Sequence, residues 1–289
     1  MVLKTQIIKP FDPWNSPLCT CPKKFSFDPY TGCSHFCLYC YATSYISKFY
    51  FPRRKKDLLK RLKRDLEKIP ESSIISISNS SDPYQPLEEK FKDFRNCLKI
   101  FQNFNFKILI VTKSDLVLRD IDILKKLNCA VTITLTTLNQ KIARKLESKA
   151  PLPERRLKTL EILAKEKIAT GLRLDPIFPF LTEGEIEKIV KEAKRVKVKH
   201  LTTSTFKPKR DSWKRFELVF PKIAQKLKAL YFEKGEKIQN SFYLPKELRK
   251  NLIEKVFKAC QKYKIPFAPC REGFLELKSA KSCDGSWLI

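Results

Sequence analysis

Apolar positions follow two alternating rhythms along the chain. Short apolar runs read as strands at SSIISIS (72–78), KILIVT (107–112), CAVTITLT (129–136), IATGLRL (168–174), HLTTSTF (200–206) and IPFAPC (265–270). Between them apolar residues recur three and four apart. Leu58, Leu59, Leu62, Leu66 and Ile69 mark a helix over 53–69, and Phe91, Phe94, Leu98 and Phe101 one over 88–104. Further helices are expected at 116–127, 139–147, 153–166, 183–196, 212–233 and 246–263. Strands alternating with helices imply βαβ units and a parallel sheet, so the class is α/β. About six such units predict a (β/α) barrel of TIM type, partial or complete. The expected organisation is an N-terminal extension over 1–24, the barrel over 25–270 and a tail over 271–289. Chemistry in such barrels collects at the C-terminal ends of the strands. That directs attention to the 78–85 loop, Thr112 to Ser114, Thr134 to Thr137, Arg173 to Asp175 and Thr203 to Lys209.

Composition narrows the partners. The 289 residues are 43% apolar and 31% charged, as in a soluble globular protein able to bury a substantial core. No apolar run approaches the roughly 18 residues of a membrane span, and the first residues lack the apolar stretch of a signal peptide. A cytoplasmic protein with no membrane partner is expected. Lys and Arg total 59 against 31 Asp and Glu, a net charge of +28. Such an excess favours a polyanionic partner, most often nucleic acid; the plainer reading is a solvated basic surface. None of the six glycines builds a GxGxxG or GxxxxGK loop, which excludes those nucleotide sites. Only His35 and His200 are present, leaving little for histidine-based zinc sites or triads.

The ten cysteines divide into three groups. Cys97, Cys129 and Cys260 sit on apolar faces of expected elements and read as core residues. Cys33, Cys37 and Cys40 lie in a turn-rich loop, TGCSHFCLYC, spaced too tightly to pair with one another. An iron–sulfur cube normally takes four thiolates, so three leave one iron open to a substrate or cofactor. Cys19, Cys21, Cys270 and Cys283 come from the two chain ends. They could share an auxiliary cluster or zinc as a second metal site, form disulfides, or stay free. Alternatively Cys270 alone sits at the active end as a hydrogen donor.

The C-x3-C-x2-C spacing with Tyr39 before the last cysteine resembles the signature of the radical S-adenosylmethionine (SAM) superfamily. "DPYTGCSHFCLYCYA" further resembles the branch of spore photoproduct lyase-like, DNA repair photolyase-like proteins. "SNSSDPYQPLE", "VTKS", "TITLTT", "LRLDPIFP" and "TSTFKPKRDSW" extend the likeness over most of the chain. The resemblance implies a radical SAM barrel with a [4Fe-4S] cluster on Cys33, Cys37 and Cys40. Its open iron would chelate SAM, and one electron would cleave SAM to a 5′-deoxyadenosyl radical. It also implies an electron donor such as ferredoxin or flavodoxin. Carried over by residue, it puts Tyr39 near the adenine and Ser78, Ser80 and Ser81 near the SAM amino group. Lys113 would face the SAM carboxylate, an ammonium suited to it. Thr134 and Thr136 would meet the ribose, unless they simply fill the strand. Arg173 and Asp175 would bind SAM, bind substrate or pair with each other. One departure matters: spore photoproduct lyases keep a hydrogen-donating cysteine where SISNSSD (76–82) has none, with Asn79 roughly in its place. Repair of the spore photoproduct itself is therefore disfavoured.

The stretch 203–216 interleaves Phe206, Trp213 and Phe216 with Lys207, Lys209, Arg210, Lys214 and Arg215. Cations can neutralise phosphates and aromatic rings can stack on bases, so nucleic acid contact is expected, against an ordinary basic helix. Phe178 and Phe180 are expected beside the same opening, unless both simply pack. Three functions follow: a radical SAM enzyme acting on DNA or RNA, one modifying a peptide or protein, or a non-enzymatic metal-stabilised nucleic-acid-binding protein.

Overall fold

The computed structural model describes residues 7–12 and 16–289. Residues 1–6 and 13–15 of the N-terminal extension, which include part of the 1–14 stretch expected to lack a signal peptide, lie outside the described residues. The strands are β1 (Ile8–Pro10), β2 (Phe25–Phe27), β3 (Tyr30–Thr31), β4 (Arg53–Arg54), β5 (Ile74–Ile77), β6 (Lys107–Thr112), β7 (Cys129–Thr134), β8 (Ala169–Ile177), β9 (His200–Thr205), β10 (Glu236–Ile238), β11 (Ser241–Tyr243) and β12 (Phe267–Pro269). The helices are α1 (Leu58–Leu66), α2 (Pro86–Phe91), α3 (Asp93–Phe101), α4 (Ile121–Leu124), α5 (Gln140–Leu146), α6 (Pro153–Lys165), α7 (Ile186–Arg195), α8 (Arg210–Val219), α9 (Pro221–Phe232) and α10 (Lys246–Lys262). Among the described residues no helix is long and apolar enough to cross a membrane.

The main sheet runs β1-β2-β5-β6-β7-β8-β9-β12. All its pairings are parallel except β1 with β2. This is the expected partial TIM-type barrel, with β1 and β12 as its edges. Register sorts the strand residues, since partners directly opposite share a face. Ile77, Ile110 and Val131 form one row and Ile133, Leu172, Leu201 and Phe267 another; all join the core under the helices. The other face holds small and polar rows: Thr132, Gly171 and His200, then Thr134, Arg173, Thr202 and Ala268. That polar face is the barrel interior. Gly171 belongs there because a Cβ would lie 2.6 Å from Thr132 Oγ1.

Several expected helices divide for local reasons. The 53–69 helix starts only at Leu58, because Arg53 and Arg54 pair with β3. The 88–104 helix breaks at Lys92, which takes a left-handed φ of 54°. The 116–127 segment begins as a 3-10 turn over Asp115–Asp120. The long 212–233 helix splits at Pro221, which lacks the N–H an unbroken helix needs.

The chain ends meet at the barrel's open side. Within the N-terminal extension, β1 is held by buried Asp65, which accepts from the N–H groups of Ile7 and Ile8 at 2.6 and 3.0 Å. Lys24, just before β2, forms a buried ion pair with Asp284 of the tail. The tail continues under the barrel, where Trp287 Nε1 donates to His200 Nδ1 at 3.1 Å. Burial pulls His200 down to about 4, so it is a neutral acceptor there.

Candidate active site

The loop carrying Cys33, Cys37 and Cys40 leaves β3 at Gly32, whose φ of 84° and closeness to the Phe49 carbonyl require glycine. Neighbouring elements then pin it on several sides. Cys33 N–H donates to Phe49 O at 2.9 Å, and Leu38 N–H to Leu146 O at 2.8 Å. Gln85, at the start of α2, accepts from Ser34 N–H and donates to the Gly32 carbonyl, both at 3.0 Å. Tyr50 OH donates to Cys37 O at 2.8 Å, and Lys149 N–H to His35 O at 3.1 Å. Arg215 of α8 donates to the carbonyls of Leu38 (3.0 Å) and Cys40 (3.2 Å) and to Thr43 Oγ1 (2.8 Å). The thiols are thus presented from a fixed backbone. Burial pushes Cys33 up to about 12 and also raises Cys37 and Cys40, so metal loading must displace their protons.

A buried charge network stands beside the loop. Tyr39 OH donates to Glu147, which pairs at 2.6 Å with Arg156; both acid and guanidinium are 1% exposed. Arg156 also donates to Pro151 O at 2.8 Å and Thr134 O at 3.1 Å. The Lys113 ammonium lies 5.8 Å from the Tyr39 ring centroid. Burial works against its charge, but Cys37 and Glu147 outweigh this and raise its pKa. Asp82 anchors the backbone beneath, accepting from Thr112 Oγ1 at 2.6 Å, Lys113 N–H at 2.8 Å and Tyr84 N–H at 3.0 Å. Burial opposes its ionisation, yet His35 at 3.4 Å and these donors bring it down to about 2.

The other SAM-binding candidates fall around the same mouth. Ser80 and Ser81 are already engaged, their N–H groups donating to Asp28 at 3.1 Å each. Ser78 differs: it sits at φ 77° and its buried hydroxyl has no partner among the described residues. The hydroxyls of buried Thr132, Thr136 and Thr202 likewise have no partner among the described residues; Thr132 and Thr202 lie on the interior face, and Thr136 continues the alternation of Thr132 and buried Thr134. Arg173 donates to Asp175 at 2.8 Å and to Cys270 Sγ at 3.3 Å, while Asp175 accepts from Ser204. Asn79, at the position where the resemblance puts a cysteine, donates to Ser26 Oγ (2.7 Å) and Ser76 O (2.9 Å). A polar ligand with hydroxyl, amine and carboxylate groups would satisfy these orphaned groups. Each thiolate of a cube takes a different iron, and the three loop cysteines supply that donor set.

The basic strip divides. Lys207 is spent on buried Glu272 at 2.6 Å, and Trp213 is 6% exposed, packed against Phe216, Tyr231 and Phe232. Arg215 clamps the cysteine loop and pairs with Asp211 at 3.0 Å. Lys209 donates to Asn240 O, while Arg210 and Lys214 are exposed. Phe178 is buried and Phe180 exposed.

Among the chain-end cysteines, Cys21 and Cys283 lie 3.2 Å apart and the Cys19 thiol bonds to Cys21. Cys270 instead turns toward Arg173. Among the described residues no three His, Cys, Asp or Glu side chains gather round one point as a single metal ion requires. Cys97, Cys129 and Cys260 are core residues, as expected.

Sequence reading missed Asp28, Asp82, Glu147, Arg156 and Glu272 as organisers. Asp28 and Asp82 lie inside quoted motifs, which was a usable signal. Glu147 and Arg156 lie outside every motif.

Comparison with known proteins supplies the family. The radical SAM superfamily model matches residues 27–193, more than half of the chain. An uncharacterised protein of Methanocaldococcus jannaschii is 32% identical over 204 residues, covering 67% of this chain and 73% of its own. One of Acidianus two-tailed virus is 27% identical over 186 residues, covering 59% and 60%. Among solved structures, a spore photoproduct lyase mutant with bound AdoMet and dinucleoside spore photoproduct superposes with a TM-score of 0.70 at 14% identity, covering 93% of this chain and 80% of that one. Streptococcus suis SuiB bound to precursor peptide SuiA gives 0.57 at 16%, covering 84% and 48%. A cysteine loop at the mouth of a partial parallel barrel, a matching family model and this shared fold lead to one conclusion: the chain belongs to the radical SAM superfamily.

Proposed function

We propose that the protein is a radical SAM enzyme acting on nucleic acid, by a reaction other than repair of the spore photoproduct. The observation that carries the chemistry is the pinned loop of Cys33, Cys37 and Cys40 beside buried Lys113 and the orphaned interior hydroxyls. When bound, a three-thiolate [4Fe-4S] cluster supplies the electron that cleaves the sulfonium of SAM. The chain's own residues bind and orient. Lys113 meets the SAM carboxylate, Ser78 its amino group, and Thr134, Thr136 and Thr202 its hydroxyls. Tyr39, tied by Glu147, forms a wall for the adenine. Arg173 and Asp175 hold the substrate side of the mouth, with the Cys270 thiol beside them as hydrogen donor. Arg215 keeps the loop shut against α8. A one-electron carrier of the ferredoxin or flavodoxin type is required, and a chain at +28 suits an acidic one.

Support for nucleic acid comes from the rim. Tyr41 and Tyr45 stack with centroids 6.3 Å apart and are 37% and 51% exposed beside the cysteine loop. Arg271 lies close enough to influence both Tyr41 and Lys209, so aromatic and cationic groups share one edge of the mouth. This pair offers bases a stacking surface that buried Trp213 does not. The spore photoproduct lyase neighbour binds a dinucleoside; SuiB, which binds a peptide, supports the peptide reading. The test is anaerobic incubation of reduced, cluster-loaded protein with SAM and total cellular DNA or RNA, followed by nucleoside mass spectrometry. A SAM-dependent altered nucleoside supports the proposal. Robust SAM cleavage with unaltered nucleosides and no salt-sensitive binding would move the assignment to a peptide.

A further inference from the structure

The thiols at the seam between the chain ends are unused by the active site. Cys21 lies just before β2 and Cys283 in the tail after β12, 262 residues apart in sequence and 3.2 Å apart at sulfur. Cys283 is 2% exposed and packs with Ala268 and Ala280; Cys21 is half-buried, on the solvent side of the pair. The buried Lys24–Asp284 ion pair fixes the same two segments beside the thiols. Cys270 accepts from Arg173 at 3.3 Å and lies close enough to Cys19 and Cys283 to influence both. The sulfur pair in contact across the seam is Cys21 and Cys283, with Cys19 beside Cys21.

We propose that Cys21 and Cys283 form a reversible disulfide that staples the tail across the open side of the barrel. The Cys21 thiolate attacks one sulfur of a low-molecular-weight disulfide and releases one thiol. Cys283, losing its proton, then attacks the Cys21 sulfur of the mixed disulfide and releases the second. The protein gives up two electrons and two protons, and the small disulfide becomes two thiols. Cys21 is the suitable first nucleophile: it is the more exposed of the two, it touches Cys19 and Cys283, and Lys24 lies close, so its thiol is held below the ordinary value. The staple holds the strand of tail that plugs the barrel bottom through Trp287 and His200.

The test uses cluster-loaded protein exposed anaerobically to oxidised glutathione, acid-quenched, alkylated and mapped by mass spectrometry. The expected product is a Cys21–Cys283 linked peptide pair lighter by two hydrogens, reversed by dithiothreitol. Oxidation should raise the unfolding midpoint by about 3–9 °C, because it closes a very long loop in the unfolded chain. C21S and C283S should lose both the link and the shift, and C19S should keep them. Four outcomes would overturn the proposal: Cys21 remaining alkylatable after oxidation, a link from Cys21 to Cys19, an equal shift in C21S, or one zinc per chain beyond the cluster iron, released by a mercurial.

Discussion

Arg156→Met tests whether the buried network behind Tyr39 holds the site together. The substitution keeps the volume of the side chain but removes the guanidinium that faces Glu147 at 2.6 Å. It also strands the carbonyls of Pro151 and Thr134, which now accept at 2.8 and 3.1 Å. Glu147 would keep Tyr39 OH and the more distant Lys113, so its charge is left partly uncompensated. Breaking a buried pair from one side costs about 3–5 kcal/mol. Unfolding entropy near 2.1 cal/mol/K per residue makes a loss of about 5–8 °C for a chain of this size. The pH dependence has a definite sign. Burial opposes ionisation of Glu147, but Arg156, Lys113 and Tyr39 outweigh it and hold its folded pKa below the ordinary 4.5. That stability is fully present above about pH 4.5 and is lost as pH falls through the folded value. Wild type and variant should therefore converge in acid. The assay is thermal unfolding by circular dichroism, anaerobically, from pH 8 down to about pH 2, which spans the range below 4.5 where the loss occurs. Glu147→Met with Arg156→Met should cost less than Arg156→Met alone, because no charge is then orphaned. A single-variant loss under about 1 kcal/mol, or a double variant showing the plain sum of the singles, would refute the reasoning.

Further predictions concern the mouth. Lys113→Met should weaken SAM binding about 30-fold or more in equilibrium dialysis while iron content is unchanged, since a buried ammonium–carboxylate contact is lost; a change under threefold would contradict its role. Tyr41→Ala with Arg271→Ala should weaken nucleic acid binding and lower the salt slope by about one. Trp213→Ala should instead cost about 3–5 kcal/mol of stability and leave that slope unchanged, because Trp213 packs among Phe216, Tyr231 and Phe232. Cys270→Ser should leave 5′-deoxyadenosine formation intact but cut formation of the altered nucleoside at least tenfold, read by mass spectrometry.

The parts of this molecule legible in its sequence are those set by local rules. The strand 107–112 carries four consecutive apolar residues, Ile108 to Val111, and the structure forms it over the same residues. The cysteine loop was legible because all three cysteines sit within eight residues. Helix ends were less so: only tertiary pairing of Arg53 and Arg54 with β3 delays α1, and no local pattern announces it. The same limit governed the site. Glu147 finds Tyr39 108 residues away, and Glu272 finds Lys207 at 65, distances across which a single sequence carries no pairing signal. Trp213 and Lys207 have the composition of a nucleic acid strip, yet α9 and Glu272 cover them. The basic charge was visible, but its arrangement around Tyr41 and Arg271 was not.

The central claim is that Cys33, Cys37 and Cys40 hold a cluster with an open iron that cleaves SAM. The direct measurement is 5′-deoxyadenosine released from SAM by anaerobically reconstituted, dithionite-reduced protein, with iron counted on the same sample. The account predicts about four iron per chain, release of 5′-deoxyadenosine, and loss of both in Cys33→Ala, Cys37→Ala and Cys40→Ala. Full iron loading with no 5′-deoxyadenosine, or release that persists when all three cysteines are replaced, would contradict it.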